Sequence, residues 1–383
     1  MTRVTSTARR GFALPAAVIT LVLLSTLIVG VLFVATDELR AGRSDVADQR
    51  ALTLAERAID DAIAHWDPLR NTAVDVGTVV TTPAPVAQPG DRVDVTITRT
   101  QPRSFWIVSH AESQDGRRIP ARRAIGASLR LAAPAVPLGA ALSAGGAVTV
   151  DDGSVVIGHD ASASSRHARL CADASPASAA GVLAPDTTRV CGTTCGGVPV
   201  GVTGSPPVAR AIAAPPQDST VPRFGGEPYA TLAARASLVL DGGTIAPGPL
   251  VVDGVCDVTN ALNWGDPDGA TACRDHFPVI LVRGSAVLAA GAAGQGILLV
   301  DGDLELAPGA RFVGVVVASD DIVVRGPDAE IVGVASALDV EGSDGSVVVD
   351  GGAIRFASCA ARVAALGAAR LERTRGRWWS ELR

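Results

Sequence analysis

The chain has 383 residues and a formal net charge of −6. It is long enough for two or three domains, and its net charge does not indicate a basic surface of the kind that binds nucleic acid. All 33 basic residues are arginine, which excludes Schiff-base chemistry and a P-loop lysine. Glycine is abundant, with 41 residues, and aromatic residues make up only 3%. This composition favours stacked β-structure with many tight turns over a helical enzyme.

An uncharged run from Phe12 to Ala35 follows three arginines, Arg3, Arg9 and Arg10. As a helix, its roughly 24 residues would reach about 36 Å, enough to cross a hydrocarbon core of about 30 Å. The run is longer than the apolar region of a secretory signal peptide. The arginines place its start on the cytoplasmic side of the inner membrane and the rest of the chain outside the cytoplasm.

The helical pattern continues beyond Ala35 in a segment without proline, until Pro68 ends it. Apolar residues recur there at steps of three and four: Leu52, Ala55, Ile59, Ala62, Ile63 and Trp66. The pattern predicts one helix from Phe12 to Trp66, membrane-spanning in its first half and amphipathic in its second. The amphipathic half needs a surface to lie against.

The stretch RRGFALPAAVITLVLLSTLIVGVLFVA resembles the class III signal of type IV prepilins and pseudopilins. The resemblance implies that a prepilin peptidase removes residues 1–11 by cutting between Gly11 and Phe12, and that Phe12 is then methylated. Pro15 falls in the first helical turn, where its missing N–H costs little. The resemblance also implies that the helix is kept in the membrane. It would later pack against other pilins or pilus assembly proteins in a cell-surface filament.

The fifth residue of the mature chain would be Ala16, where major pilins carry glutamate. This departure resembles the PilX-type minor pilins and the tip-type pseudopilins, and it argues against a role as the main filament subunit. The implied function is non-enzymatic: a subunit that enters, primes or caps a type IV filament. An ordinary single-pass anchor that carries an exported domain is the alternative.

The helix of residues 12–68 is followed by residues 69–133, whose sequence predicts the small antiparallel sheet of a pilin-like head. The segments RVDVTITRT, SFWIVSHAES and ARRAIGASLRL read as three strands of a meander, and VGTVVTT reads as a further short strand. One apolar face of this sheet is the natural partner for the apolar stripe of the helix.

Residues 134–358 consist of short apolar runs between Gly and Asp turns. Four runs, recurring about every 17–18 residues, start near Ile280, Ile297, Val315 and Val332. The chain is therefore expected to be α+β but mostly β. Its main domain would be a right-handed parallel β-solenoid, with a β-sandwich as the alternative. Excursions are expected at 161–236, with a short helix at YATLAARA, and at 256–273.

Six cysteines, all beyond residue 170, predict disulfides in an exported chain. Cys256 and Cys273 bracket the second excursion and are expected to pair, which would stabilise the fold by roughly 3 kcal/mol. The other four, whose pairing the sequence leaves open, are Cys171, Cys191, Cys195 and Cys359. The motif CGTTC (191–195) favours a disulfide over zinc, because no second ligand pair has matching spacing.

No catalytic residue, cofactor or metal ligand is predicted. The turns DPDG (266–269) and DDG (151–153) would suit calcium, but neither matches an EF-hand and both are ordinary turn sequences. Asn263 and Trp264 would either bind sugar or protein, or plug the end of the solenoid.

Two further hypotheses of function and one of structure remain. A β-helix enzyme that processes polysaccharides would use Asp301, Asp303 and Glu305, and an adhesin would bind a surface through the head. The Arg- and Trp-rich residues 359–383 are expected to cap the solenoid, with a docking peptide or membrane contact as the alternative.

Overall fold

The structure is a computed structural model and describes residues 13–84, 89–113, 121–161, 171, 178–211, 223–224, 227–338 and 347–380. The helices within these residues are α1 (Ala13–Ala64), α2 (Pro68–Thr72), α3 (Tyr229–Ala233) and α4 (Ser358–Gly367). The strands are β1 (Val79–Pro83), β2 (Arg92–Gln101), β3 (Ser104–Ser113), β4 (Ala121–Ala132), β5 (Ala140–Ala144), β6 (Val148–Val150), β7 (Val155–Ile157), β8 (Ala180–Ala184), β9 (Val190–Cys191), β10 (Val202–Thr203), β11 (Val208–Arg210), β12 (Arg223–Phe224), β13 (Glu227–Pro228), β14 (Leu238–Ile245), β15 (Val251–Val252), β16 (Val255–Cys256), β17 (Val279–Leu288), β18 (Ala293–Asp301), β19 (Leu304–Leu306), β20 (Arg311–Ala318), β21 (Ile322–Arg325), β22 (Glu330–Ala337), β23 (Val347–Asp350), β24 (Ala353–Phe356) and β25 (Arg370–Ser380).

The long N-terminal helix is present as α1, 52 residues in one piece. It ends two residues before Trp66, the last apolar position of the predicted stripe. The next helix, α2, begins at Pro68, and the carboxylate of Asp67 accepts a hydrogen bond from the Arg70 N–H (2.9 Å). Proline at the first position and aspartate before it are typical of a helix start, so the chain turns here and begins a new helix.

A small antiparallel sheet follows, in the order β1-β2-β3-β4-β25. The meander of β2, β3 and β4 and the short strand β1 lie where the sequence predicted them. The fifth strand was not predicted: β25 pairs with β4, with Leu371 opposite Leu131. The C-terminal residues therefore form α4 and a strand of this sheet. The predicted tail is thus a helix and a strand, and its strand pairs with the small sheet instead of folding back on the curled sheet.

Sixteen of the other strands form one large sheet, open and curled, whose paired strands run parallel. The pairs β12–β13 and β15–β16 are separate and antiparallel. Val279 pairs with Ile297, Ile297 with Val315, and Val315 with Val334, so successive strands are 18, 18 and 19 residues apart. These are the repeats that the sequence indicated. A sandwich of hairpins is wrong for this region, because hairpin neighbours would pair antiparallel.

The strands of the curled sheet are not stacked in chain order. The earliest strands, β5, β6 and β7, lie beside the latest ones, β22, β23 and β24. The next strands, β8 and β9, pair with β5 and β6, and they continue the stack outward. The chain then crosses to the opposite end, where β14 pairs with β17, and returns. Residues 161–236 are therefore not one excursion, since four of their strands, β8 to β11, belong to the sheet.

A ladder of three glycines lets the sheet bend under α4. Gly296, Gly314 and Gly333 are aligned in register, each with positive φ (113°, 136° and 142°). A Cβ on Gly314 would lie 2.1 Å from the carbonyl oxygen of Gly296 and 3.1 Å from the Cβ of Ala364 in α4. No side chain fits there, because both the backbone conformation and the space require glycine.

Helix α4 joins the curled sheet to the small sheet. Its Ala361 and Ala364 are buried in the large core, whereas Cys359 and Val363 pack with Leu69 of α2. A disulfide joins Cys359 to Cys171, which lies 188 residues earlier in the chain. Helix α4 therefore packs against both parts of the fold, and the disulfide fixes the helix to Cys171.

Candidate functional site

The first half of α1 is apolar and uncovered. Large aliphatic side chains from Leu14 to Val34 are exposed, and the best 18-residue window has a mean hydropathy of 2.8. Within the described residues, α1 is the one helix long and apolar enough to cross a membrane. Exposing this much apolar surface to water costs about 25 cal/mol per Å². This half therefore needs a lipid or protein environment outside the fold.

The hydroxyl groups in this half of α1 form hydrogen bonds within the helix. The hydroxyls of Ser25, Thr26 and Thr36 donate to the carbonyl oxygens of Val22 (2.9 Å), Val22 (3.0 Å) and Phe33 (2.8 Å). Hydroxyls bonded in this way present no unpaired donor to hydrocarbon. Pro15 lies in the first described turn, and Ala16 is exposed. Gly11 and Phe12, the expected cleavage position, lie outside the described residues.

The second half of α1 packs on the antiparallel sheet, as its apolar stripe predicted. Ala55, Ala58 and Ile59 are buried against strand residues of β2, β3 and β4. Alanines at the contact let the helix backbone approach the sheet closely. Ala51 and Ala58, also buried, were missed in the sequence because alanine gives a weak hydrophobic signal.

Two partly buried ion pairs hold the charged faces of α1 to the sheet. The guanidinium of Arg50 donates to the carboxylate of Asp91 at 2.6 Å, and the Asp91 side chain is 2% exposed. Arg123 of β4 donates to Asp48 of α1 at 2.9 Å. A charge buried this deeply is stable only with its partner, so Asp91 specifies one position of the helix.

The end of the stripe is fixed by an aromatic contact. The ring of Trp66 meets that of Phe105 edge to face, with centroids 4.8 Å apart. Beside it, Arg99 donates to the carbonyl oxygens of Thr72 (2.6 Å) and Val74 (2.7 Å) and closes the loop that follows α2. The helix and sheet thus behave as one packed unit, with the apolar half of α1 projecting from it.

Cys256 and Cys273, the pair expected from the sequence, are bonded, and Cys191 is bonded to Cys195. Together with the Cys171–Cys359 bond, no cysteine is free. The motif CGTTC is therefore a short disulfide loop in this structure.

Asn263 and Trp264 are fully buried, so the hypothesis that they bind a ligand was wrong. The Trp264 indole lies against Gly294 and meets Phe312 edge to face, and its N–H donates to Ala261 (3.0 Å). The Asn263 amide donates to the carbonyl oxygens of Leu250 (3.1 Å) and Asp257 (2.8 Å). Both residues fasten the 256–273 loop onto the curled sheet.

The acidic turn at residues 266–269 binds backbone N–H groups through one carboxylate. The carboxylate of Asp266 accepts hydrogen bonds from the N–H groups of Asp268 (3.0 Å) and Gly269 (2.9 Å) and from Thr271. Burial by itself raises the pKa of Asp266, but these donors outweigh it, and the pKa lies below its ordinary value. No group of three or more metal-ligating side chains occurs among the described residues.

The three acids of the enzyme hypothesis have structural partners. Asp303 accepts a hydrogen bond from the Ser285 hydroxyl (3.0 Å), and Glu305 pairs with Arg325 (3.6 Å). Asp301 lies at the end of β18 beside Arg283 of the neighbouring strand. These contacts link successive strands of the stack, so no observation here favours a carboxylate pair arranged for catalysis.

These features define a class: a chain with one long N-terminal helix that is apolar enough to cross a membrane, a small antiparallel sheet packed on that helix, and a large curled parallel sheet. Among solved structures, the chain is similar to the competence-associated pilin ComZ from Thermus thermophilus. The identity is 12%, the TM-score is 0.24, and the match covers 88% of this chain and 97% of that one. At this TM-score the similarity carries no weight for function. The chain matches no protein-family model and no curated protein.

Proposed function

We propose that this chain is a non-enzymatic minor pilin or pseudopilin-like subunit that enters, primes or caps a type IV filament. The observation that best supports the proposal is that α1 consists of two different halves. One half is apolar and uncovered, and the other is fixed to a small antiparallel sheet. In this proposal the curled sheet is a right-handed β-solenoid, carried outside the cytoplasm as an extra head.

The division of α1 suits two successive environments. In the inner membrane, lipid would cover the residues from Leu14 to Ala35; in a filament, the helices of neighbouring subunits would cover the same surface. The ion pair between Arg50 and Asp91 would keep the head in one orientation relative to the helix during this transfer. The partners implied are prepilin peptidase and other pilins or pilus assembly proteins.

The N-terminus tests the proposal most directly. Protein purified from native membranes should begin at Phe12, and its intact mass should exceed the unmodified value by one methyl group. Replacing Gly11 with leucine should leave the basic leader attached. Gly30→Ala is a matched control, because a Cβ at Gly30 meets no atom within 4 Å. A chain that still begins at Met1, or one that begins near Thr36, would contradict the proposal.

The position of the protein in the filament gives a second test of the proposal. Ala16 in place of glutamate favours low copy number, so immunogold labelling of the head should mark filament ends. Regular labelling along whole filaments would contradict the tip assignment while leaving membership of the filament intact.

A further inference from the structure

Outside α1, the exposed aliphatic side chains are concentrated at one end of the curled sheet. The members of this apolar patch are Val239, Leu250, Val251, Val252, Val255, Val258 and Leu262. Elsewhere beyond α1, the described residues expose large aliphatic side chains only at Val76, Val79, Val80, Val198 and Val200. Six of the seven patch residues lie within the segment from Leu250 to Leu262, and a cluster of exposed apolar side chains marks an interaction surface more often than a scattered single residue does.

The patch is built on a braced hairpin. Strands β15 and β16 pair antiparallel around a turn at Asp253 and Gly254, both with positive φ (51° and 79°). The Cys256–Cys273 disulfide ties the hairpin to the next loop, and the Asn263 amide holds the Leu250 carbonyl oxygen. The valines are therefore presented on a preorganised element, which lowers the entropy cost of binding.

The surroundings of the patch are acidic. Residues 236–273 contain five aspartates and no arginine; Arg235 and Arg274 flank the segment, and Arg283 lies opposite Asp241 on the neighbouring strand. Asp266 binds backbone, Asp268 pairs with Arg311 (2.6 Å), and Asp257 caps its own turn. Asp253 is exposed at the turn of the hairpin, between Val252 and Val255.

The acidic side chains around the patch favour some classes of binding partner over others. Acidic side chains repel anionic lipid headgroups and nucleic acid phosphates. The patch exposes no aromatic ring for a sugar to stack on, since Trp264 is buried. A protein surface with apolar side chains at its centre and basic side chains at its rim complements both features.

One member of the patch, Val239, lies on a strand with an open edge. Within the described residues, β14 pairs only with β17, so its other side is the end of the stack. Leu238 to Asp241 form a regular stretch of β14 before the register shifts between Asp241 and Gly243. A partner strand could pair along this stretch, beside Val239.

We propose that the apolar patch is the docking surface for a different protein, which presents an apolar face flanked by arginine or lysine. The proposal concerns the end of the curled sheet, and it stands whether or not α1 enters a filament.

Site-specific photo-crosslinking in living cells tests this docking surface, with benzoylphenylalanine as the probe in the full-length chain. The probe at Val252, which is 57% exposed, should give one discrete protein adduct. The control position is Val198, 58% exposed at the far end of the sheet, where no such adduct is expected. The crosslinked partner peptide, identified by mass spectrometry, should be apolar with basic flanks.

Two variants separate the apolar and charged contributions. Val251→Ser with Val255→Ser should reduce the adduct at Val252 about tenfold, and Asp253→Arg should do the same. Replacing the matching basic residue of the partner with an acidic one should restore the adduct in the Asp253→Arg variant. The proposal is overturned if no adduct forms, if Val198 gives the same one, or if the adduct is lipid or a second copy of this chain. A partner peptide without basic flanks also overturns it.

Discussion

The carboxylate of Asp160 accepts hydrogen bonds from the backbone N–H (3.0 Å) and the hydroxyl of Ser358, 198 residues further along the chain. Ser358 is the first residue of α4, and the helix has no cap from its own neighbouring side chain. Asp160 therefore caps α4 from a distant part of the sequence. It ties the strand β7 region to the helix that joins the two sheets.

Replacing Asp160 with alanine should destabilise the fold by about 1–2 kcal/mol, because the first N–H of α4 loses its acceptor. The measurement is the urea midpoint of full-length protein in detergent. Asp152→Ala is the control, since Asp152 is exposed in a turn, and it should change the midpoint little. Equal effects of the two substitutions would contradict the capping role.

Arg50→Ala should cost about 3 kcal/mol or more, because it leaves the Asp91 carboxylate buried without its guanidinium. The loss should appear as faster proteolysis where α1 meets the sheet, together with a lower urea midpoint. Arg57→Ala on the exposed face of α1 is the matched control. The double variant Arg50→Ala with Asp91→Ala should recover part of the lost stability; a further loss would show that the pair is not coupled.

Asp266 and Asp268 lie two residues apart and should respond differently to alanine. Asp266→Ala removes the acceptor of several backbone N–H groups and should cost about 3 kcal/mol. Asp268→Ala removes an exposed ion pair with Arg311 and should cost less than about 1 kcal/mol. Thermal unfolding of the oxidised protein measures both, and similar values would contradict the buried role of Asp266.

His276 should make the fold weaker in mild acid. Burial lowers the pKa of His276 below its ordinary 6.5, although a contact with the backbone of Asn263 partly opposes the shift. Its Nε2 is buried without a hydrogen-bond partner among the described residues. Below pH 6.5 the unfolded chain therefore takes up a proton that the folded chain does not, and stability falls as the pH falls.

Urea midpoints measured from pH 8 to pH 5 test this prediction for His276. His276→Gln should flatten the part of the profile below pH 6.5, whereas His110→Gln, at an exposed position of β3, should not. Identical profiles for the wild type and His276→Gln would contradict it.

Much of the local structure could be predicted, because it depends on short-range periodicity. The steps of three and four from Leu52 to Ile63 predicted a helix face, and alternation in residues 92–132 predicted strands. The repeat near Ile297 and Val315 predicted stacked strands. These patterns work because one face of each element must be apolar wherever it is buried.

Functional residues were harder to predict. Trp264 lies in the loop-rich segment 256–273 and Val252 in a short apolar run before it, and neither local sequence indicates which side chain is buried. Only packing distinguishes them: Trp264 lies on Gly294 and Phe312, whereas Val252 projects from a two-stranded hairpin. The acid-rich, arginine-free composition of residues 236–273 was visible, but nothing local placed it on a surface.

Local sequence was enough to predict the elements: a long helix with an apolar half, an antiparallel meander, a series of short repeated strands, and an even set of cysteines. The order of these elements in space became known only from the fold. It placed β5 beside β22, Cys171 on Cys359 and β25 on β4. The physical reason is that every strand in the stack buries the same kind of valine-rich face, so local pattern does not encode which strand is its neighbour. Long-range partners such as Asp160 and Ser358 are specified only when the whole chain has packed.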